Sequence, residues 1–315
     1  MAYQSTIFGD DPGRLPQLPR WATSARAETL EDVAFRSGAA LAVLDRLVTD
    51  PSCGVPVKLV ANRRALGAAA ATSKLEGRLA REGDLRDAYC LTPPGDAHGP
   101  DGDRLAFWRA AVRQPPGEAG WALAQAGAGA AEHVADWLHL GQDRARTHGP
   151  LAGSVTILRT VLETDSRAEQ LACGLSDLVL ARALSWKTLL PLTAQRLTKT
   201  ALRDLAAGTP GAELGVQARL LESVEETIRQ ARDLTRRAGM LRSVAPKLRA
   251  KGSRAAVDLF LTEDAVAPSL MLSPRIQGTS MSMTSRAARR FCDRLVELGV
   301  ARELTGRPTF RLYGL

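Results

Sequence analysis

A chain of 315 residues with 45% hydrophobic and 24% charged side chains can bury a substantial core, which excludes a disordered polypeptide; its length predicts two domains. Alanine and leucine abound while aromatics make up only 4%, a balance of strong helix formers that predicts an all-α fold. The net charge of +8 favours nucleic acid or another anionic surface as partner, and with no run of about 18 apolar residues no membrane span is expected.

In chain order, residues 1–27 read as an extended arm. Gly9, Pro12, Gly13, Pro16 and Pro19 deny it regular structure, and Trp21 is placed to pin it to the body. It lacks the apolar h-region of a secretory leader. With four scattered cysteines (Cys53, Cys90, Cys173, Cys292) and no CxxC pair, this predicts a reducing, cytoplasmic setting in which the thiols are small apolar fillers.

Residues 28–245 read as a helical body. A helix from Thr29 to Val48 carries Leu30, Val33, Ala34, Ala40, Leu41, Leu44 and Leu47 at helical spacing and ends at Asp50-Pro51. A second begins near Pro56 and runs through an alanine tract to about Ala80, with a further turn or two over Asp84–Cys90. The Pro- and Gly-rich stretch Thr92–Asp103 is a loop, followed by helices over about Asp103–Arg113 and Gly120–Leu140. Gly149-Pro150 is a candidate subdomain seam. Asp165 or Ser166 caps the next helix, which presents Ala168, Leu171, Ala172, Leu175, Leu178, Val179 and Arg182 along one stripe. Trp186–Leu192 is an apolar connector, and short helices are expected within Thr193–Ala207. From about Ala212, Leu214, Leu221 and Ile228 lie seven residues apart with Val224 and Ala231 between them. That seam fits either an intramolecular helix hairpin or a homodimer through the 214–241 helix.

Charge is concentrated beyond this point. Between Arg229 and Arg254 stand nine basic residues and a single acid, Asp233, a balance equal to the net charge of the whole chain. Arg236, Arg237, Lys247 and Lys251 are candidate phosphate contacts in this run. The other reading is a solvated helix face followed by a basic linker, 246–252, closed by Pro246 and Gly252.

Residues 253–315 carry the pattern of a winged helix. A helix is expected over about Ser253–Glu263, then a short segment near Pro268–Ile276 weakened by Pro268 and Pro274. Thr284 caps a helix over Ser285–Leu298 whose Ala288, Phe291, Cys292, Leu295 and Leu298 share one face, with Arg286, Arg289 and Arg290 on others. Gly299 terminates it. Val300–Leu304 and Thr309–Tyr313 are expected strands joined by a Thr305-Gly306-Arg307-Pro308 turn, giving a small β-hairpin wing. Such a helix fits a DNA major groove, with Ser285, Arg286, Arg289 and Arg290 near base edges or phosphates, and Arg307 and Arg311 on the wing near the backbone. The arginines are not interleaved with outward aromatics, so duplex rather than single-stranded DNA is the expected partner.

Other constellations carry little chemistry. His133, Asp136 and His139 spread over about 120° of a helix, wide for one metal site. Glu76, Glu82 and Asp84 lack a companion base or nucleophile. The chain has no P-loop, GxGxxG, GxSxG or HExxH, so no catalytic residue, metal or cofactor is assigned.

The segment TSRAARRFCDRLVELGVARELTGRPTFRLY, Thr284 to Tyr313, resembles the carboxy-terminal winged helix of Fic-related proteins, most specifically in its Thr-Gly-Arg turn. Thr72-Ser73-Lys74-Leu75-Glu76-Gly77 is similar to the inhibitory-helix motif of that group. The HPFx(D/E)GN catalytic stretch is absent, since none of His98, His133, His139 or His148 precedes Pro-Phe, so neither nucleotide transfer nor an inhibitory role for Glu76 carries over. Over nearly its full length the chain resembles an uncharacterised bacterial family, domain-of-unknown-function family fourteen-oh-three. The residues carrying that likeness are LEGRLAREGDLRDAYCLTPPGDAHGP (Leu75–Pro100) and the terminal ELTGRPTFRLYGL. The resulting expectation is a DNA-binding accessory or regulatory protein. The alternatives are a scaffold whose winged helix docks a protein and a degenerate Fic-related protein without transferase activity.

Overall fold

The computed structural model describes residues 15–23, 28–126, 128–307 and 309–315. Helices dominate: α1 (Arg20–Thr23), α2 (Leu30–Thr49), α3 (Val57–Leu75), α4 (Glu82–Cys90), α5 (Gly99–Arg113), α6 (Gly120–Gln125), α7 (Ala128–Ala131), α8 (Val134–His148), α9 (Pro150–Thr164), α10 (Glu169–Ala183), α11 (Lys199–Ala206), α12 (Ala212–Val244), α13 (Ser253–Phe260) and α14 (Ser285–Glu297). One hairpin, β1 (Arg302–Glu303) with β2 (Tyr313–Gly314), completes the elements. The expected all-α fold with a small hairpin wing is what forms.

Local chemistry explains most helix ends. Thr29 caps α2 by accepting from the Asp32 amide at 3.1 Å, while Asp32 accepts from the Thr29 amide, a reciprocal box. α3 stops at Leu75 rather than near Ala80, because Gly77 takes a left-handed conformation (φ 80°) that closes the helix. The single helix expected over Gly120–Leu140 is divided into α6, α7 and α8. The sequence there places two glycines within Ala126-Gly127-Ala128-Gly129, each costing about 1 kcal/mol in a helix interior. α9 covers a stretch to which sequence periodicity assigned nothing. Its Val155, Thr156, Ile157, Thr160 and Val161 are poor intrinsic helix formers, and packing against α8 and α10 supplies what propensity does not.

The body is built around α10, which is buried on nearly every side instead of along one stripe. Two of its buried polar residues bond within the body: Ser176 exchanges hydrogen bonds with Ser154, and Asp177 accepts at Oδ1 from the Thr193 amide at 2.9 Å and hydroxyl at 2.6 Å. Gly149-Pro150, the candidate seam, is a turn (Gly149 φ 93°) between α8 and α9, which pack closely along their lengths. A Cβ on Gly153 would stand 2.4 Å from the Gly141 carbonyl oxygen, so only glycine permits this approach. α12 lies along α2, joined by the Arg36–Glu225 ion pair at 2.9 Å. Leu221, Val224, Ile228 and Ala231 are buried within the chain. The heptad-like seam therefore serves intramolecular packing, as in the helix-hairpin reading, and among the described residues of α12 the exposed large apolar side chain is Met240.

One expectation near the arm changes. Trp21 stays 65% exposed, its ring tilted against that of Phe35 at 5.9 Å. What fastens the chain there is Leu15, buried, and Arg232, which donates to the carbonyls of Leu15 and Pro16 at 3.0 Å each. Most of the arm, residues 1–14 and 24–27, lies outside the described residues.

Candidate nucleic-acid interface

The carboxy-terminal segment runs helix, strand-like residue, helical turn, helix, hairpin. After α13, Val266 forms a two-hydrogen-bond antiparallel bridge with Tyr313 (2.7 and 3.0 Å), so Tyr313 is central between Val266 and β1. Pro268–Leu272 forms a single π-type turn, shorter than the segment expected to Ile276 because Ser273 and Pro274 leave the helix. An extended loop, 273–284, follows, fastened by an Arg275–Ser282 bridge.

α14 is the element nearest to expectation. Thr284 caps it, its hydroxyl accepting from the Ala287 amide at 3.2 Å. Ala288, Phe291, Cys292 and Leu295 are buried, and Arg286, Arg289 and Arg290 are exposed. At about 100° per residue the three arginines occupy one arc opposite the centre of the buried stripe. Arg286 and Arg290 have no carboxylate partner among the described residues, and Arg289 reaches only the Ser285 carbonyl at 3.4 Å. The acids of this helix sit in its second half: Asp293 accepts from the Tyr313 hydroxyl at 3.1 Å and Glu297 pairs with Arg294 at 2.9 Å. The positive end of the helix dipole and the arginines thus coincide. Ser285 is less free than its position suggests, since its hydroxyl bonds to that of Ser273 at 3.0 Å.

The basic linker lies beside this helix start. Residues 245–247 make a 3-10 turn, and Gly252 (φ 81°) sits so close to the 276–283 loop that a Cβ there would be 2.8 Å from Ile276 Cδ1 and 3.8 Å from both Met281 Cβ and Met283 Cε. That loop leads into Thr284. Lys247, Arg249, Lys251 and Arg254 are exposed, with no ionic partner among the described residues. Arg275, missed from sequence because it falls in a loop rather than in a periodic helix, is exposed in the same neighbourhood. No acid occurs between Asp233 and Asp258 or between Asp264 and Asp293, so linker, loop and helix start form a stretch of chain free of neutralising carboxylates.

Four other candidate residues are placed differently. Arg236 and Arg237 both bind Asp233, at 2.8 and 2.7 Å, and border the opposite, carboxyl end of α14 near Gly299. On the wing, Glu303 holds the Thr305-Gly306-Arg307 turn by accepting from the Thr305 hydroxyl (2.6 Å) and the Gly306 amide (2.8 Å), which also lowers its pKa. Gly306 has φ 63°, which explains glycine in the turn. The turn is exposed but tied to the body. Arg307 pairs with Asp87 of α4 at 2.9 Å, and Arg86 donates to the Leu304 carbonyl at 3.0 Å. A largely buried carboxylate on the body thus captures the guanidinium expected to meet DNA. Arg311 is exposed and folds back on the Arg307 carbonyl at 3.1 Å. Pro308 lies outside the described residues.

The whole segment is fastened to the body. Arg109 of α5, 1% exposed, contacts Glu263 at 3.1 Å and also Asp264; Asn62 and Arg63 of α3 donate to the carbonyls of Thr262 and Leu315. One hydrophobic cluster extends from Leu15 through α14 to Leu315, and a small second one gathers Ala265, Ala267 and Leu312.

The weaker constellations resolve as structural. Glu76, capping α3, forms a two-point ion pair with Arg104. Asp84 accepts from the Arg81 amide at 3.0 Å to start α4. His133 precedes α8, its ring tilted against that of Trp137 at 5.7 Å. No group of three metal-ligating side chains converges among the described residues. The cysteines are free, and burial raises the thiol pKa of Cys53, Cys173 and Cys292 and lifts that of Cys90 to about 11. Among the described residues no helix is long and apolar enough to cross a membrane.

Residues 7–315 match the family model described as Protein of unknown function (DUF1403), and the chain belongs to that family. No curated protein matches it. The two sequence stretches that carry the family likeness meet in space, since α4 supplies the Arg86 and Asp87 that hold the hairpin turn at Leu304 and Arg307.

Proposed function

We propose that this member of the DUF1403 family binds duplex DNA through a winged-helix-like segment, 253–315, with α14 as the helix that enters the major groove. The observation that carries the reading is the arc of Arg286, Arg289 and Arg290, exposed, opposite the buried stripe and without a carboxylate partner among the described residues. Exposed Arg275, Lys247 and Lys251 flank the helix start and supply backbone contacts. This reading leaves out Arg307, which pairs with Asp87, and Arg236 and Arg237, which border the far, carboxyl end of α14. The order of elements, with Val266, Tyr313 and β1 side by side, supports the winged-helix description.

The test is fluorescence anisotropy of labelled duplex DNA with the full chain at several salt concentrations. Affinity should fall steeply as salt rises, by about 0.9 in the log–log slope per phosphate neutralised. Replacing Arg286 and Arg290 with alanine should weaken binding by about 1–3 kcal/mol for each base that these side chains read. A salt-independent affinity, or unchanged binding in the double variant, defeats the proposal. A second reading, a protein-docking wing, is favoured by Phe310, 70% exposed beside Arg311. A pull-down that resists nuclease and disappears in Phe310→Ser would select it.

A further inference from the structure

A cavity of about 250 Å³ lies between α12 and the base of the hairpin. Arg236 and Arg237 line it from α12; Gly299, Val300, Arg302 and Leu315 line it from the carboxy-terminal segment. Its lining carries three guanidinium groups and no carboxylate side chain. Behind it, Arg63 donates to the Leu315 backbone oxygen at 3.2 Å. The larger cleft beside α3, about 410 Å³, carries a surplus of only one positive charge, with Lys74, Arg78 and Arg196 against Glu82 and Glu226, and makes no comparable demand for an anion.

We propose that the cavity at Arg236, Arg237 and Arg302 binds a small phosphate-bearing anion, which bridges α12 to the hairpin base. The proposal is independent of the DNA reading, because these arginines sit at the far end of α14 from Arg286. The neutralising groups nearby are few. Asp233 is shared by Arg236 and Arg237, a free carboxyl group on Leu315 would answer Arg63, and the carboxyl end of α14 adds about half a negative charge. Arg302 is exposed and has no ionic partner among the described residues. The surplus is felt by Arg63, whose pKa falls to about 10, first through burial and then through repulsion from Arg302 and Arg237. A guanidinium cluster in a concave, partly enclosed site is the geometry that phosphate oxygens satisfy with paired hydrogen bonds. The volume admits a phosphate or pyrophosphate, whereas a duplex backbone presents a convex surface.

The experiment is thermal denaturation and calorimetric titration of the full chain with inorganic phosphate and pyrophosphate, against sodium chloride at matched ionic strength. At ten times its dissociation constant, the anion should raise the midpoint by about 2 °C over the salt control. Arg302→Gln, a surface change that leaves the packing intact, should weaken binding about ten-fold or more. Arg286→Ala with Arg290→Ala should leave anion binding unchanged, so failure of the DNA reading and failure of this site are separately visible. Chloride matching the anion's effect overturns the proposal, as does undiminished affinity in Arg302→Gln.

Discussion

Arg109→Met tests the junction between body and carboxy-terminal segment. Arg109 and Asp264 are each 1% exposed at their side chains and Glu263 is 11% exposed, so this is a buried cluster. Methionine keeps most of the volume and removes the charge. Glu263 retains Arg113 at 3.6 Å, but Asp264 is left buried with no other ionic partner among the described residues. Removing one partner of a buried pair costs about 3–5 kcal/mol, mainly through the uncompensated charge that remains. That is a large share of the roughly 5–15 kcal/mol by which domains of this kind are stable. Adding Asp264→Asn should return part of the loss, with a coupling of about 1–3 kcal/mol, since the orphaned charge is gone. Urea denaturation followed by tryptophan fluorescence suits the measurement, because Trp108 is fully buried next to Arg109. A loss under about 1 kcal/mol, or additive single and double variants, would show that the segment does not rest on the body through this cluster.

Arg307→Ala should change duplex affinity less than about two-fold, since Asp87 holds that side chain, and should lower stability by no more than about 1 kcal/mol because the arginine is half exposed; anisotropy and denaturation in parallel check both. Asp177 is fully buried, and burial lifts its pKa from 3.8 to about 7. The folded chain therefore holds a proton that the unfolded chain releases, and stability declines as pH rises from about 4 to about 7, by up to about 1.4 kcal/mol per unit. Asp177→Asn should remove that component, and equal slopes for both proteins in denaturation series across this range would refute it. Gly153→Ala forces a Cβ to 2.4 Å from the Gly141 oxygen and should cost about 1–3 kcal/mol by overpacking, seen as a lowered melting midpoint; an unchanged midpoint would mean α8 and α9 do not touch there.

Helices whose signal is local were legible without a structure. The helix start near Thr29, the cap at Thr284, the stripe of Ala288, Phe291, Cys292 and Leu295, and the turn at Gly306 each follow from residues within a few positions of one another. Such features depend on backbone hydrogen bonding and side-chain period, which short stretches of chain settle by themselves. α9 escaped notice because its β-branched residues are helical only when neighbours cover them, and α10 looked one-sided because an apolar stripe says nothing about what covers the other faces.

The candidate interface divides along the same line. That Arg286, Arg289 and Arg290 oppose the buried stripe of α14 is a consequence of 3.6 residues per turn and of composition alone. Whether a given guanidinium meets solvent or a carboxylate depends on residues far away in the chain. Asp87 lies 220 positions from Arg307, and Asp264 lies 155 from Arg109. Sequence spacing fixes directions around a helix axis, while charge pairing falls off over a few ångströms, so only the packed arrangement of α4, α5 and the hairpin decided which arginines are held and which remain exposed.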